Sequence, residues 1–269
     1  MHSRWHHRMF FVGIILTLVS WVLPARGQAS VAPPPNLLRS SLAALITTNT
    51  GLQDITMTGT VEYHAGSTDE TGSITLSALP NGSSRMDLTL PSRTSTESVS
   101  MADSKLSGQT RDPKGKLHAT AFHNLLTESV WFCPAIIVAH YVAYSQKGEV
   151  SSQGTEFRNG LTVIHLTSSR HVSTGSILAD GELKRLSKTD LLIDPITSLP
   201  SSLTYAQHPD ANARIDSVIE IRYSDYASFQ GILIPTHIQR YINGVLGSDI
   251  NITSTTVNTG ITETQFHLN

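Results

Sequence analysis

Cysteine is nearly absent: Cys133 is the only one in 269 residues. An internal disulfide is therefore impossible, and the core must hold the fold together unaided. Charge is sparse as well, at 15% of residues, and no basic stripe stands out. Nucleic-acid binding needs phosphate-neutralising Lys and Arg in quantity, so that class is set aside. Docking on anionic lipid by charge is disfavoured on the same ground. Signature motifs are missing too: there is no Gly-x-Ser-x-Gly elbow, no His-Glu-x-x-His, no Gly-x-Gly-x-x-Gly and no P-loop. Their absence removes the commonest hydrolase, metalloprotease and nucleotide sites, while a triad assembled from distant residues stays open. Beyond residue 30 no segment is apolar enough to cross a membrane, and no internal repeat or second domain is visible.

What the chain does have begins with an address. Arg4 and Arg8, with His2, His6 and His7, give a basic start. Phe10 to Leu23 is an apolar run of about 14 residues, the length of a signal peptide and short for a membrane span. Pro24 ends the run, and Gly27-Gln28-Ala29 places small residues where a signal peptidase reads. The expectation is a signal peptide over residues 1–29, cleaved after Ala29, with Ala25 as the second choice. An uncleaved anchor is the alternative, disfavoured by length. No Cys stands near the site, so a lipid anchor on the new N-terminus is not expected. Cleavage would remove Arg4, Arg8 and Arg26 and no acid. The 19 basic residues less 3 leave 16 against 21 acidic ones, a net charge of −5 with histidine neutral. About 240 residues suffice for one self-supporting domain. Disulfide-free export suits a bacterial envelope, and the expected location is periplasmic or secreted.

Residues 30–35 form a short proline-rich linker, and 36–269 are expected to be one β-rich domain. Leu38, Leu42, Leu45 and Ile46 recur at helical spacing, with Asn36 as a cap and Gly51 as a stop beyond the end. From Asp54 the period becomes two. Ile55, Met57, Val61 and Tyr63 share one face, and Ile74, Leu76 and Ala78, then Met86, Leu88 and Leu90, repeat the pattern. Such alternation marks an antiparallel sheet covered on one side. Ala119 to Tyr144 is the most apolar stretch after the leader. Its spacing is helical, and Pro134 should break it into two helices. Asn159-Gly160 and Asn243-Gly244 spell tight hairpins. A polar loop is expected through Gly175 to Gly181. In all, about ten strands are expected, with one helix in front and a helical pair between the halves of the sheet.

Candidate chemistry is thin. His118, His123 and His140 flank the apolar stretch, but their spacing fits no common zinc pattern, and solvated or capped histidines explain them better. His165 reads as a hydrogen-bonded rim histidine rather than a base. Cys133 reads as a small buried hydrophobe. Asp194 and Asp225 read as turn residues that bond nearby amides. The apolar stretch either fills the core or lids a cavity; in the second case Trp131, Phe132, Ile136, Ile137 and Tyr141 would line it. No cofactor or metal is expected.

The last third carries a resemblance. A strand ends in Asp194-Pro195-Ile196-Thr197-Ser198-Leu199-Pro200, another ends in Tyr223-Ser224-Asp225-Tyr226, and a third reads Gly231-Ile232-Leu233-Ile234-Pro235. A later strand reaches Asn258, and Phe266 follows. Over these roughly 80 residues, Ser187 to Phe266, the chain resembles the LolA-like superfamily of exported bacterial proteins, and in particular its outer-membrane lipoprotein-sorting members. The resemblance implies an α+β fold: a strongly curved antiparallel sheet, an incomplete barrel, with an N-terminal helix and a central helical pair covering the concave side. It also implies a concave apolar site able to take lipid acyl chains. The functional expectation is an exported, non-enzymatic carrier of an apolar ligand such as a lipid or acylated protein. The alternatives are an envelope protein-interaction or stress-sensing module with a filled core and, third, a hydrolase whose His would reach both an Asp and an exposed Ser.

Overall fold

The two-residue alternation that starts at Ile55 becomes strand, because a pleated strand sends successive side chains to opposite faces. The computed structural model describes residues 34–65, 68–171 and 173–268. The expected leader, its cleavage after Ala29 and most of the linker lie outside the described residues. Within them, thirteen strands form one sheet. A first meander contains β1 (Ile55–Ala65), β2 (Thr68–Ala78), β3 (Ser84–Leu90), β4 (Arg93–Ser100), β5 (Ser107–Arg111) and β6 (Leu117–Ala119). A second contains β7 (Val150–Arg158), β8 (Leu161–Ser168), β9 (Thr189–Ile193), β10 (Pro200–Gln207), β11 (Ser217–Phe229), β12 (Ile232–Ile242) and β13 (Val245–Val257).

The strand order is β6-β5-β4-β3-β2-β1-β13-β12-β11-β10-β9-β8-β7, with antiparallel neighbours throughout. The two meanders meet where β1 pairs with β13. Strands β6 and β7 remain as edges, so the curved sheet does not close into a barrel. Gly59 marks the seam: the register shifts there, and a Cβ at this position would collide with the Asn251 carbonyl. Asn159-Gly160 and Asn243-Gly244 adopt paired positive φ angles (53° and 81°, 50° and 81°), as two-residue hairpins demand.

Three α-helices occur among the described residues: α1 (Pro34–Leu45), α2 (Pro134–Gln146) and α3 (Ile177–Leu186). Helices α1 and α2 pack on each other and on β12. Leu38 and Leu45 of α1 and Ile136, Ile137 and Tyr141 of α2 meet Met57, Leu76, Leu203, Ile221 and Ile234 in one buried core. Helix α2 is apolar nearly all round, which is what a helix enclosed between α1 and a sheet requires. Glu263–Phe266 forms a 3-10 turn against β4, where Ser98 Oγ donates to the Phe266 carbonyl at 2.7 Å.

The α+β architecture and the incomplete barrel stand as the sequence implied, with some local differences. The first half of the apolar stretch is no helix. Ala119 ends β6, Phe122–Leu125 is a 3-10 turn, and Pro134 opens α2, where its missing N–H costs nothing. Pro34 and Pro35 likewise sit in the first turn of α1, so Asn36 lies inside that helix rather than capping it. The loop expected over 175–181 is mostly α3; Ser176 caps it by accepting from Ala179 N–H, which offsets the mid-helix Gly181. Asp225 is not at a strand end: β11 continues through it, with φ at 54°. Asp194 does organise its turn, accepting from Ile196 N–H at 2.8 Å and Thr197 Oγ1 at 2.9 Å.

Candidate functional site

The concave face is incompletely filled at one end. Val61, Ile74, Met86, Leu88 and Ile250 floor a narrow hollow of about 50 Å³, with Tyr63, Glu97, Gln207, Arg240 and Ser248 around it. Trp131 closes it. On the other side of Trp131 opens a cleft of about 390 Å³. The cleft shares Met86, Glu97, Trp131 and Gln207 with the hollow and adds Val99, Thr110, His118, Leu125, Phe132 and Tyr205. Apolar floor and polar rim are thus neighbours that share four lining residues, Trp131 among them. The cleft's volume falls within the range of about 300–1,000 Å³ usual for ligand pockets.

The segment carrying Trp131 is irregular, yet it is tied down at several points. Tyr223 Oη donates to the Trp131 carbonyl. Cys133 N–H donates to Val130 O at 2.9 Å, and Ser129 Oγ donates to Gly82 O at 2.6 Å. The Phe132 ring stands edge-on to the indole at 5.5 Å. Beneath the segment lies a buried ion pair, His140 Nδ1 to Glu128 Oε2 at 3.2 Å, with His140 Nε2 donating to the Pro80 carbonyl at 2.8 Å. Burial alone would raise the Glu128 carboxyl, but the adjacent His140 outweighs it and holds the carboxyl below its ordinary value. Burial would lower His140, and Glu128 reverses that to leave it raised. The pair joins the Trp131 segment to α2 and to the turn after β2.

The five residues expected to line a site divide. Trp131 borders the hollow and the cleft, and Phe132 the cleft. Ile136, Ile137 and Tyr141 lie wholly in the core and border neither space; Tyr141 Oη is within 2.6 Å of Thr189 Oγ1. Cys133 is buried beside them, and burial pushes its thiol up to about 12. Sequence reasoning missed Glu97, Gln207 and Arg240. Arg240 carried a signal, since it falls in the apolar row of Ile234 and Ile238 along β12, and its Nη2 donates to Gln207 Oε1 at 3.0 Å.

The outer face of the sheet bears a polar chain of contacts. Ser224 Oγ lies 2.9 Å from His237 Nδ1, and His237 Nε2 lies 2.8 Å from Asp249 Oδ1. Ser224 is exposed and borders a groove of about 200 Å³ with Arg158, Asn159, Arg222 and Gln239. Histidine–carboxylate pairing recurs elsewhere, in His64–Asp69, His118–Asp112, His165–Asp190 and His208–Asp216. Among the described residues no group of three or more His, Cys, Asp or Glu is placed to hold a metal ion.

No family model matches the sequence, and no curated protein matches it. Solved structures do match in shape. One is a domain assigned as an outer membrane lipoprotein-sorting protein from Vibrio parahaemolyticus: 10% identity, 86% of this chain, 95% of that one, TM-score 0.54. The fold is LolA-like. A DUF1329 family protein from Desulfovibrio piger matches as well, at 12% identity over 87% of this chain and 95% of that one, TM-score 0.54. At such identities the likeness is one of fold. In this LolA-like frame the hollow and the cleft lie between the concave face and the chain that leads into α2. Among the described residues no helix is long and apolar enough to cross a membrane.

Proposed function

We propose that this protein is an exported, non-enzymatic carrier that holds an apolar chain, from a lipid or an acylated protein, in the hollow of its sheet. The observation that carries this reading is the apolar floor beneath Trp131, next to a polar-rimmed cleft that the indole also lines. The LolA-like fold and the lipoprotein-sorting assignment of the Vibrio relative support it. The hollow behind Trp131 is too small for an acyl chain until the indole swings out. Each methylene then buried contributes about 0.8 kcal/mol, while the polar rim meets a headgroup. A leader over 1–29 would deliver the chain to the periplasm or beyond, where an envelope protein is the natural second partner. The test is mass spectrometry of apolar extracts from the purified protein, with titration of a fluorescent fatty acid. Recovery of no apolar molecule together with no saturable binding overturns the carrier and leaves the interaction module.

A second reading, a hydrolase, is favoured by Ser224, His237 and Asp249. Ser224 Oγ would attack an acyl carbon while His237 Nδ1 takes its proton and Asp249 holds the imidazolium; the imidazolium would return that proton to the departing alcohol or amine as its bond to the acyl carbon breaks, and water would then hydrolyse the acyl-serine. The recurrence of histidine–carboxylate pairs on this sheet weakens it, because pairing alone is then no mark of catalysis. A fluorophosphonate probe decides: stoichiometric labelling lost in Ser224→Ala supports hydrolysis, and no labelling ends it.

A further inference from the structure

The charge of this chain is not evenly spread. A wide cleft of about 760 Å³ lies where the end of α2, strands β7 and β8, and helix α3 come together. Lys147, Arg170, His171, Lys184, Arg185 and Lys188 line it, against the single carboxylate of Glu149. Some of this charge is already answered. Arg185 is paired with Glu182 and Asp216, and Lys188 with Asp190. Lys147 and Lys184 have no ion pair among the described residues. The acid nearest the helix start, Asp180, is engaged by Thr174 N–H and Oγ1, both at 2.7 Å.

Beside this cleft α3 exposes two large apolar side chains, Ile177 at 91% and Leu178 at 86%. Ile177, Gly181 and Lys184 share one stripe of the helix. Seven residues of rise put Ile177 and Lys184 about 10 Å apart along it. The opposite side, through Leu186, packs inward. The exposed pair is also held in place, because Ser176 caps the helix and Thr174 bonds to Asp180. A capped helix that presents adjacent apolar residues next to a basic cleft is the pattern of an element lying in a lipid interface.

We infer that α3 and the basic cleft beside it form a docking surface for an anionic lipid bilayer. Ile177 and Leu178 enter the headgroup–acyl boundary, and Lys147 and Lys184 meet lipid phosphates; Arg170 is engaged by Tyr144 and lies near Glu128. The overall negative balance does not oppose this, since charges act within a Debye length of about 10 Å at ordinary ionic strength. This surface is separate from the hollow at Trp131, so it stands whether or not that hollow carries an acyl chain.

The test is flotation of the purified protein with phosphatidylcholine vesicles, with and without 30 mol% phosphatidylglycerol. Binding is expected to the anionic vesicles and to fall steeply with salt. Lys147→Ala with Lys184→Ala should weaken it about 25-fold, about fivefold per charge. Ile177→Ser with Leu178→Ser should weaken it at least tenfold. All four positions are exposed, so melting curves should not move. Equal binding to both vesicles, unaltered affinity in either double variant, or full competition by inorganic phosphate at constant ionic strength would each overturn the inference; the last would make the cleft a free-anion site.

Discussion

Replacing Trp131 by alanine separates two roles for this side chain: a wall that grips ligand, or an occupant that ligand must displace. The indole stands between the 50 Å³ hollow and the 390 Å³ cleft and is partly buried. Truncating a fully buried Trp costs about 3–5 kcal/mol. With one side of the ring facing the open cleft, about 2 kcal/mol is expected. In a domain of this size that lowers Tm by roughly 4–8 °C. The backbone should hold, because Tyr223 Oη anchors the Trp131 carbonyl, which alanine keeps. A ligand filling the hollow must eject the same ring and forfeit the same ~2 kcal/mol. In Trp131→Ala that opposition is gone, so affinity for an apolar probe should rise about 30-fold, at about 1.4 kcal/mol per tenfold. Fluorescent fatty-acid titration and a thermal melt measure both effects. Ile136→Ala is the control: it empties core space away from the hollow, so it should destabilise without tightening binding. Weaker binding in Trp131→Ala, or equal tightening in Ile136→Ala, refutes the displacement mechanism.

The buried His140–Glu128 pair sets a stability window. Its raised histidine contributes stability that is complete below the ordinary histidine range and lost as pH rises through the raised value. Its lowered carboxyl contributes stability that is complete above the ordinary carboxylate range and lost as pH falls through the lowered value. Urea unfolding from about pH 3 to about pH 9 should therefore show both limbs. His140→Ala should remove the limb at high pH and cost about 3 kcal/mol near neutral pH, because it strands a buried carboxylate that burial alone would raise. Cys133, with its thiol pushed up to about 12 by burial, should give no reaction with a thiol reagent in the native protein and one equivalent after denaturation. Asp54→Asn should cost about 2–3 kcal/mol in urea unfolding. Asp54 accepts from Thr259 N–H and Oγ1, each at 2.9 Å, and from Gly260 N–H at 2.8 Å.

The strands were legible because their apolar side faces one core, so the period of two runs almost unbroken from Ile55 to Leu90 and again through Ile219 to Tyr223. The hairpins were legible because positive φ at two successive residues narrows the choice to pairs such as Asn-Gly. Helix α3 was hidden because its inner face is short and its outer face displays Ile177 and Leu178, which blurs any helical period. The stretch before Pro134 misled for the opposite reason. Buried apolar density at roughly helical spacing also arises when irregular chain crosses a concave sheet. The polar edge of the hollow comes from strands far apart in sequence: Glu97 on β4, Gln207 on β10 and Arg240 on β12. Only the curvature of the sheet brings them together, and local pattern carries no information on curvature.

The seam between β1 and β13 also governs how the chain can fold. Within each meander neighbouring strands are close in sequence, so their loops close at small entropic cost. The seam joins Ile55 to Val257 and is fastened by Asp54 to Thr259 and by Gln53 to Asn258. It cannot form until both meanders are available. The expected order is two independently nucleating halves followed by a slower docking step across Gly59. Before that step, β1 and β13 both present unpaired backbone. Self-association during refolding is thus expected at these two strands, rather than at β6 and β7, which remain edges in the finished sheet.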